Sequence, residues 1–465
     1  MKEKSQRAPR PNSGLSSKLR PDRVHSATLE VLAIVREEGR LADRALSHVL
    51  RREQSLWSAE RRAVAERVYG LLRNERLVER VAGATLGSGR LATFSSSEAD
   101  AVRLAVWASL VGAPPPPGLA PSLRRAVEAA GAVRDELLAA LEPLERLSLS
   151  FSLPDWLVRR LALRLGEPEC AKLCDALNRR APLTLRANLL RGSREELLSA
   201  LAAEGAMATA TRHSPWGTAL DARTNAFGLQ SFRRGLFEVQ DEGSQLLALL
   251  CGDPPGRLVV DACAGAGGKT LALAASMRNR GELWALDARA DRLELLRPRA
   301  RRAGAQNVRL LAIPDEGPLP PALDRIAGRA DVVLVDAPCS GIGALRRNPD
   351  ARRRLTEESV SEHARRQLSI LIRAARLVRP GGRLVYATCS LLWEENEEVV
   401  ERFLARGGFV SVPWQELLPS PLAQSLAGDL EGGPEALRSP LGLRLWPQRH
   451  GTDGFFGAAL RRAPQ

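Results

Sequence analysis

Val332-Val-Leu-Val-Asp-Ala-Pro-Cys-Ser-Gly-Ile-Gly-Ala-Leu-Arg-Arg-Asn-Pro-Asp350 is the stretch from which the fold follows. Val332 to Val335 is an unbroken apolar run, the pattern of a strand buried on both faces. It stops on Asp336, and Pro338 cannot donate to a ladder, so the chain must turn there. The turn presents a carboxylate, a thiol and a hydroxyl at Asp336, Cys339 and Ser340, and a basic, glycine-containing loop with Arg346 and Arg347 follows. An acid and a thiol at the end of a buried strand suit chemistry on an electrophilic ring.

The same strand-then-polar pattern repeats on either side. Leu258 to Asp261 is a strand ending in an acid, and Ala262 to Thr270 is a glycine-rich turn leading into a helix predicted over Leu271 to Met277. Leu283 to Asp287 is a second strand ending in an acid. Val308 to Ala312 is a third, and Arg383 to Thr388 follows the opening stretch as a fifth. Leu443 to Trp446 and Phe455 to Arg461 read as an antiparallel pair. Strands alternating with helices predict an α/β fold with a parallel sheet, whose carboxyl ends are where ligands bind.

The glycine turn suits a nucleotide-like cofactor, with Asp287 placed to hold two ribose hydroxyls. A P-loop would need glycine where Cys263 stands, and a dinucleotide fingerprint would need glycine where Thr270 stands. An adenosine-sulfonium cofactor, which needs no phosphate cradle, fits better. Cys389 lies where the fifth strand leaves the sheet, beside Cys339 if the strand order is the usual one. Two thiols and an acid fit methylation at carbon 5 of cytosine. That carbon is a weak nucleophile until a thiolate adds to carbon 6. An acid at ring nitrogen 3 offsets the developing charge, and a further group must help release the product. The base must also leave its stack, which needs a basic surface for the flanking strand.

Composition frames this reading. The chain has 465 residues and a formal net charge of +14, which fits a polyanionic partner such as RNA. Lysine occurs only at Lys2, Lys4, Lys18, Lys172 and Lys269, so 63 of the 68 basic residues are arginine. Part of that richness reflects a bias toward GC-rich codons, and Lys269 is informative for escaping it. The six cysteines, at 170, 174, 251, 263, 339 and 389, have no framework or zinc-site spacing, so no metal is expected and a cytoplasmic location is. No apolar run approaches the roughly 20 residues of a membrane span.

Residues 1–23 read as a disordered basic arm and 24–146 as a helical domain, with Val31, Val35, Val64, Val68, Leu71 and Leu72 at helical spacing. Arg61 to Asn74 is basic on its polar positions, and Pro114 to Pro117 break two helices. Residues 150–235 form a small α/β module with a strand at Pro182 to Asn188, a helix capped at Ser193, and Arg179, Arg180 and Arg186 in its loops. Residues 236–465 carry the catalytic machinery.

Three motifs together resemble the Sun/Nop2-type RNA cytosine-5 methyltransferases: Asp261 to Thr270, Asp336 to Asp350, and Tyr386 to Ser390 with Glu395-Asn-Glu397. Val239 to Gln245 and His450 to Phe456 support the match, which runs from about Pro154 to the end. The helical N-terminus, with Val68-Tyr-Gly-Leu-Leu-Arg-Asn74, is similar to the NusB-like domain of bacterial members. The resemblance implies a class I methyltransferase Rossmann-like domain, an all-α NusB-like domain and a small linking module that binds RNA. It implies S-adenosyl-L-methionine as cofactor and ribosomal RNA, the small-subunit 16S molecule, as substrate, with the protein a monomer.

Residue by residue, it makes Cys389 the nucleophile, Cys339 the thiol that assists release and Asp336 the acid at the target cytosine. Cys263, Ala264, Gly265, Ala266, Gly267, Gly268 and Lys269 match the cofactor loop, with Lys269 also close to the substrate. Asp287 matches the ribose-binding acid and Asp315 a further cofactor acid. The loop departs from the family where Gly265-Ala266 replaces Ala-Pro. Two other readings are a DNA cytosine-5 methyltransferase with Cys339 as nucleophile, and a non-catalytic RNA-binding assembly factor.

Overall fold

The computed structural model describes residues 19–464 except 88, 222–223 and 253–254, and nothing is described of the side chain of 122. The predicted basic arm therefore lies, up to residue 18, outside the described residues. The chain divides into two compact units after Ser152.

The first unit is helical from Pro21–Glu37 to Pro143–Ser150. Val31, Val35, Val64, Val68, Leu71 and Leu72 all enter its core, as their spacing requires. Pro114 to Pro117 separate the helices Ser96–Leu110 and Pro121–Glu128. Arg61, read as part of a basic face, instead turns onto the chain: it donates to the carbonyls of Leu50, Glu53 and Leu56 at 2.7, 3.1 and 3.0 Å.

The second unit holds two sheets. The smaller has the order β2 (Ala208–Ala210), β3 (Gly217–Leu220), β1 (Leu183–Ala187), β4 (Phe237–Val239). The last strand lies beyond residue 235, and it pairs antiparallel with β1 because Phe237 is buried in this module's own core. Ser193 caps the helix Arg194–Ala203 by accepting from the Glu196 amide at 3.1 Å, and Glu196 returns the bond to Ser193 N at 2.7 Å. Cys170 and Cys174 are buried in the helix Glu167–Asn178 as packing residues.

The larger sheet contains β5 (Leu258–Asp261), β6 (Glu282–Asp287), β7 (Val308–Ala312), β8 (Ala330–Asp336), β9 (Val378–Thr388), β10 (Phe409–Val412), β11 (Leu443–Leu445) and β12 (Phe455–Arg462). Its order is β10-β12-β9-β8-β5-β6-β7, with β11 on β12. Strands β5 to β9 are parallel to one another, whereas β12 pairs antiparallel with β9, β10 and β11. The chain moves outward from β5 through β6 and β7, then returns to the other side of β5 with β8. That reversal opens a crevice at the carboxyl ends of the central strands.

Both faces of this sheet are covered. Val333 and Val335 of β8 face one core with Ile370, Leu371 and Phe403, while Val332 and Leu334 face the other with Leu246, Leu247 and Leu273. Each such burial contributes about 1.5–3 kcal/mol, which is why β8 reads as continuously apolar. Strand β9 begins five residues before its predicted start of Arg383, since Pro380, Gly381 and Gly382 disguise its first half. Strand β10, a short edge strand without strong alternation, was absent from the sequence-based expectation.

Gly343, in the loop after Cys339, ties three strand ends together. It donates to the Cys389 carbonyl at 2.9 Å, and its own carbonyl accepts from the Gly454 amide at 2.9 Å. A Cβ here would stand 2.0 Å from the Gly454 oxygen, a backbone atom that cannot move aside cheaply. Gly343→Ala is therefore expected to destabilise the second unit by about 1–3 kcal/mol, the range for overpacking. Scanning calorimetry checks this; an unchanged thermal midpoint contradicts it.

Candidate active site

A cavity of about 530 Å³ opens at the carboxyl ends of β5, β6, β8 and β9. Cys263, Ala264, Gly265, Ala266, Gly268, Lys269, Asp287, Asp315, Asp336, Cys339 and Cys389 all line it. Of the catalytic and cofactor-binding residues that the family resemblance implies, Gly267 alone does not. It faces the protein, where a Cβ would meet Leu296 Cδ1 at 2.1 Å, and its φ of +87° is one that only glycine adopts freely.

The cofactor side is built from the glycine turn and Asp287. Gly265 has a φ of +53° and donates its amide to Asp287 Oδ2 at 2.7 Å. Arg289 N donates to Asp287 Oδ1, also at 2.7 Å, so the carboxylate is fixed from two sides. Two arginines hold the turn's carbonyls. Arg299 Nη1 donates to Ala266 O at 2.5 Å, and Arg186 Nη1 donates to Gly268 O at 2.7 Å. Arg186, counted among the module's loop arginines although the strand expected at Pro182 to Asn188 contains it, lies in β1 and is 2% exposed. Beyond β7, Ile313 lines the cavity, while Asp315 reaches across to pair with Arg366 at 2.5 Å.

Asp261 lies beneath the turn, fully buried. It accepts from Thr270 Oγ1 at 2.7 Å, and its Oδ1 has no protein partner. Burial pushes its carboxyl up to about 7. The Cys263 thiol is likewise pushed up by burial, so it stays protonated and inert as a nucleophile.

The reactive side lies between β8 and β9. Lys269 Nζ sits 2.8 Å from Asp336 Oδ2 and 5.7 Å from the centre of the Phe455 ring. Cys339 Sγ and Cys389 Sγ are 3.3 Å apart. The contact with Cys389 and burial push the Cys339 thiol well above its ordinary range, and either sulfur of the pair can donate to the other. Asn396 steadies Cys389 from both sides. Its Oδ1 accepts from Thr388 Oγ1 at 2.6 Å and its Nδ2 donates to the Ser390 carbonyl at 3.0 Å.

Arg346 and Arg347, read as a basic loop, are internal struts. Both pair with Asp453, and Arg347 also reaches Asp241 at 2.6 Å. Asp453 N in turn donates to Asp241 Oδ1 at 3.1 Å. The two supporting stretches around Asp241 and Asp453 therefore clamp the loop that follows Cys339. Gln240 and Ser244, both in the supporting stretch Val239 to Gln245, also line the cavity, as do Arg292 and Arg373, which stand in no quoted pattern.

A parallel sheet of this order, a glycine turn after its first strand, an acid after its second and a cavity large enough for a nucleoside define an S-adenosylmethionine-dependent methyltransferase. Residues 249–461 match the family model of the 16S rRNA methyltransferase RsmB/F, and residues 153–226 match the ferredoxin-like domain of RsmF/B-like methyltransferases. The chain is 34% identical over 324 residues to a probable ribosomal RNA small subunit methyltransferase B of Synechocystis sp., covering 69% of each chain. Identity is also 34% over 333 residues to the ribosomal RNA small subunit methyltransferase B of Pseudomonas putida, covering 70% of each. A crystal structure of a methyltransferase homologue protein from Pyrococcus horikoshii superposes with a TM-score of 0.56 at 25% identity, covering 69% of this chain and all of that one. The chain belongs to the RsmB/F family of 16S rRNA methyltransferases. Among the described residues no cluster of side chains suited to a metal ion occurs, and no helix is long and apolar enough to cross a membrane.

Asp261 provides a test of this electrostatic picture. Its folded-state value lies above the unfolded value of about 3.9, so the folded chain binds this proton more tightly. The resulting stabilisation is complete below about pH 4 and is lost as the pH rises toward the folded value. Asp261→Asn cannot lose a proton, so its thermal midpoint should gain on that of the wild type between about pH 5 and about pH 8. A constant difference across that range, measured without cofactor, contradicts the assignment.

Proposed function

We propose that the protein methylates carbon 5 of a cytosine in small-subunit ribosomal RNA through a covalent bond between Cys389 and the base. The observation that carries this reading is the pair of sulfurs 3.3 Å apart beside the Lys269–Asp336 ion pair, all lining one cavity. A methyltransferase acting on a nucleophilic nitrogen or oxygen needs no thiol; carbon 5 of a pyrimidine does.

The residues divide the work as follows. Cys389 Sγ adds to carbon 6 of the flipped cytosine, which makes carbon 5 electron-rich. Asp336, with Lys269 against it, is placed to meet ring nitrogen 3, and a proton passed from this ion pair to that nitrogen offsets the charge arising on addition. When bound, S-adenosylmethionine supplies an electrophilic methyl group. The glycine turn and Asp287 would hold its adenosine, and the same cavity extends from them to the two thiols. Water in the open cavity then takes the carbon 5 proton, the freed carbon–hydrogen electron pair restores the 5,6 double bond, and the carbon 6–sulfur bond breaks with its pair returning to Cys389. Cys339, protonated and in contact with that sulfur, assists the release. The names of the relatives support small-subunit ribosomal RNA as the substrate, and a monomer working in the cytoplasm fits this role.

With labelled cofactor and unmodified 16S rRNA, Cys389→Ala is expected to abolish both methylation and any denaturation-resistant RNA adduct. Cys339→Ala should instead accumulate the adduct. The reverse pattern would make Cys339 the nucleophile, as in the DNA-type reaction, and wild-type protein that binds RNA without labelling it would be a non-catalytic factor. Asp287→Ala should weaken cofactor binding by about tenfold or more, since it loses charge-assisted hydrogen bonds worth about 1.5–3 kcal/mol. Calorimetric titration reads this directly, and unchanged affinity would contradict the role given to Asp287.

A further inference from the structure

Glu395 is fully buried and has no ion-pair partner among the described residues. Its carboxylate is held by hydrogen-bond donors alone. Oε1 accepts from Ser340 N at 2.8 Å and from Gln367 Nε2 at 3.0 Å. Oε2 accepts from Ser340 Oγ at 2.5 Å and from Ser390 Oγ. Ser340 is the residue after Cys339, and Ser390 is the residue after Cys389. Gln367 also donates to the carbonyl of Pro338, the residue before Cys339, at 3.0 Å. A single carboxylate therefore grips both thiol-bearing loops, and the backbone of Glu395 is itself anchored where Tyr386 OH donates to its carbonyl at 2.5 Å.

A carboxylate buried without a cation is costly unless its lone pairs are filled. Here the filling groups come from both thiol-bearing loops and from Gln367 of the helix Glu357–Ala375, and the carboxylate reinforces a long direct contact of Ser340 Oγ with Ser390 Oγ at 3.4 Å. We propose that Glu395 is the positioning residue that sets the separation of Cys339 and Cys389, acting through geometry and not through charge. Glutamine can replace it: the amide oxygen keeps Ser340 N and Gln367, while the amide nitrogen donates to the two serine hydroxyls, which can accept. Alanine cannot, because Ser340 N and Gln367 Nε2 lose their acceptor and the loops keep no carboxylate between them; the two sulfurs aside, only the Gly343 amide on the Cys389 carbonyl and the long Ser340–Ser390 contact remain among the described bonds.

The separation of the two sulfurs can be measured without RNA, by crosslinking them in the full-length protein with the azo oxidant diamide. One thiol adds across the nitrogen–nitrogen double bond. The second thiol then displaces it, giving the disulfide, and diamide leaves as the hydrazine carrying the two thiol protons and two electrons. Peptide mapping separates the Cys339–Cys389 product from that of Cys170–Cys174, whose sulfurs lie 3.9 Å apart in another part of the unit and report general opening.

Glu395→Gln is expected to crosslink within about threefold of the wild-type rate, whereas Glu395→Ala and the double variant S340A/S390A should be slower by about tenfold or more, as for ångström-scale misplacement of reacting groups. The double variant carries the test if Glu395→Ala fails to fold. Cofactor affinity and the Cys170–Cys174 rate should be unchanged, and turnover on RNA should fall in kcat without a rise in the KM for cofactor. Wild-type crosslinking rates in the alanine variants would overturn the proposal, as would a parallel change at Cys170–Cys174. The turnover arm rests on the cytosine-5 reading, but the crosslinking arm does not. If the wild type fails to methylate RNA and the alanine variants still crosslink slowly, that reading falls and this one stands.

Discussion

Ala337 donates its amide to the Ala387 carbonyl at 2.8 Å, and Asp336 lies opposite Ala387 in the parallel register of β8 and β9. This last rung fixes where both strands end, and so where the two following loops begin. From it, Cys339 is three residues beyond Asp336 and Cys389 is two beyond Ala387, on neighbouring chains running the same way. A slip of one residue would exchange the faces of one strand and separate the two sulfurs. The rung persists because Val333 and Val335 on one face and Val332 and Leu334 on the other are packed between helices, which leaves β8 no alternative register.

The remaining parts of the site hang from this sheet by polar struts. Asp241 and Asp453 hold Arg346 and Arg347, which fold the loop after Cys339 back onto the ends of β4 and β12. Arg186 and Arg299 hold the glycine turn, and Glu238 in turn holds Arg299 and Arg302. Much of the arginine excess near the site is therefore engaged internally. Net charge counted along the chain overstates the free cationic surface around the cavity, and it is the pairing of each guanidinium that separates a strut from a substrate contact.

The central strands, the acids that end them and the glycine turn were legible because each depends on local patterns: an apolar run, a terminal acid, a Pro or Gly stop; the nearness of Cys339 and Cys389 followed only with the usual strand order assumed. Arg186, Arg346 and Arg347 were misplaced for the opposite reason. Their partners, Gly268, Asp241 and Asp453, are remote in sequence, and a basic residue looks the same whether it faces water or a buried carboxylate. Glu395 and Asn396 stood in a quoted motif, yet their tasks appear only once the loops they join are seen side by side. Strand β10 and the first half of β9 were hidden by weak alternation and by Pro380, Gly381 and Gly382.

The central claim is that the first bond to the substrate forms at Cys389 and not at Cys339. It is tested most directly with wild-type protein, cofactor and RNA carrying 5-fluorocytidine, in which no carbon 5 proton remains to be removed and the product cannot leave. Digestion and mass mapping of the trapped complex should place the nucleotide on the peptide containing Cys389. A nucleotide on the Cys339 peptide, or no covalent complex at all, would contradict the account.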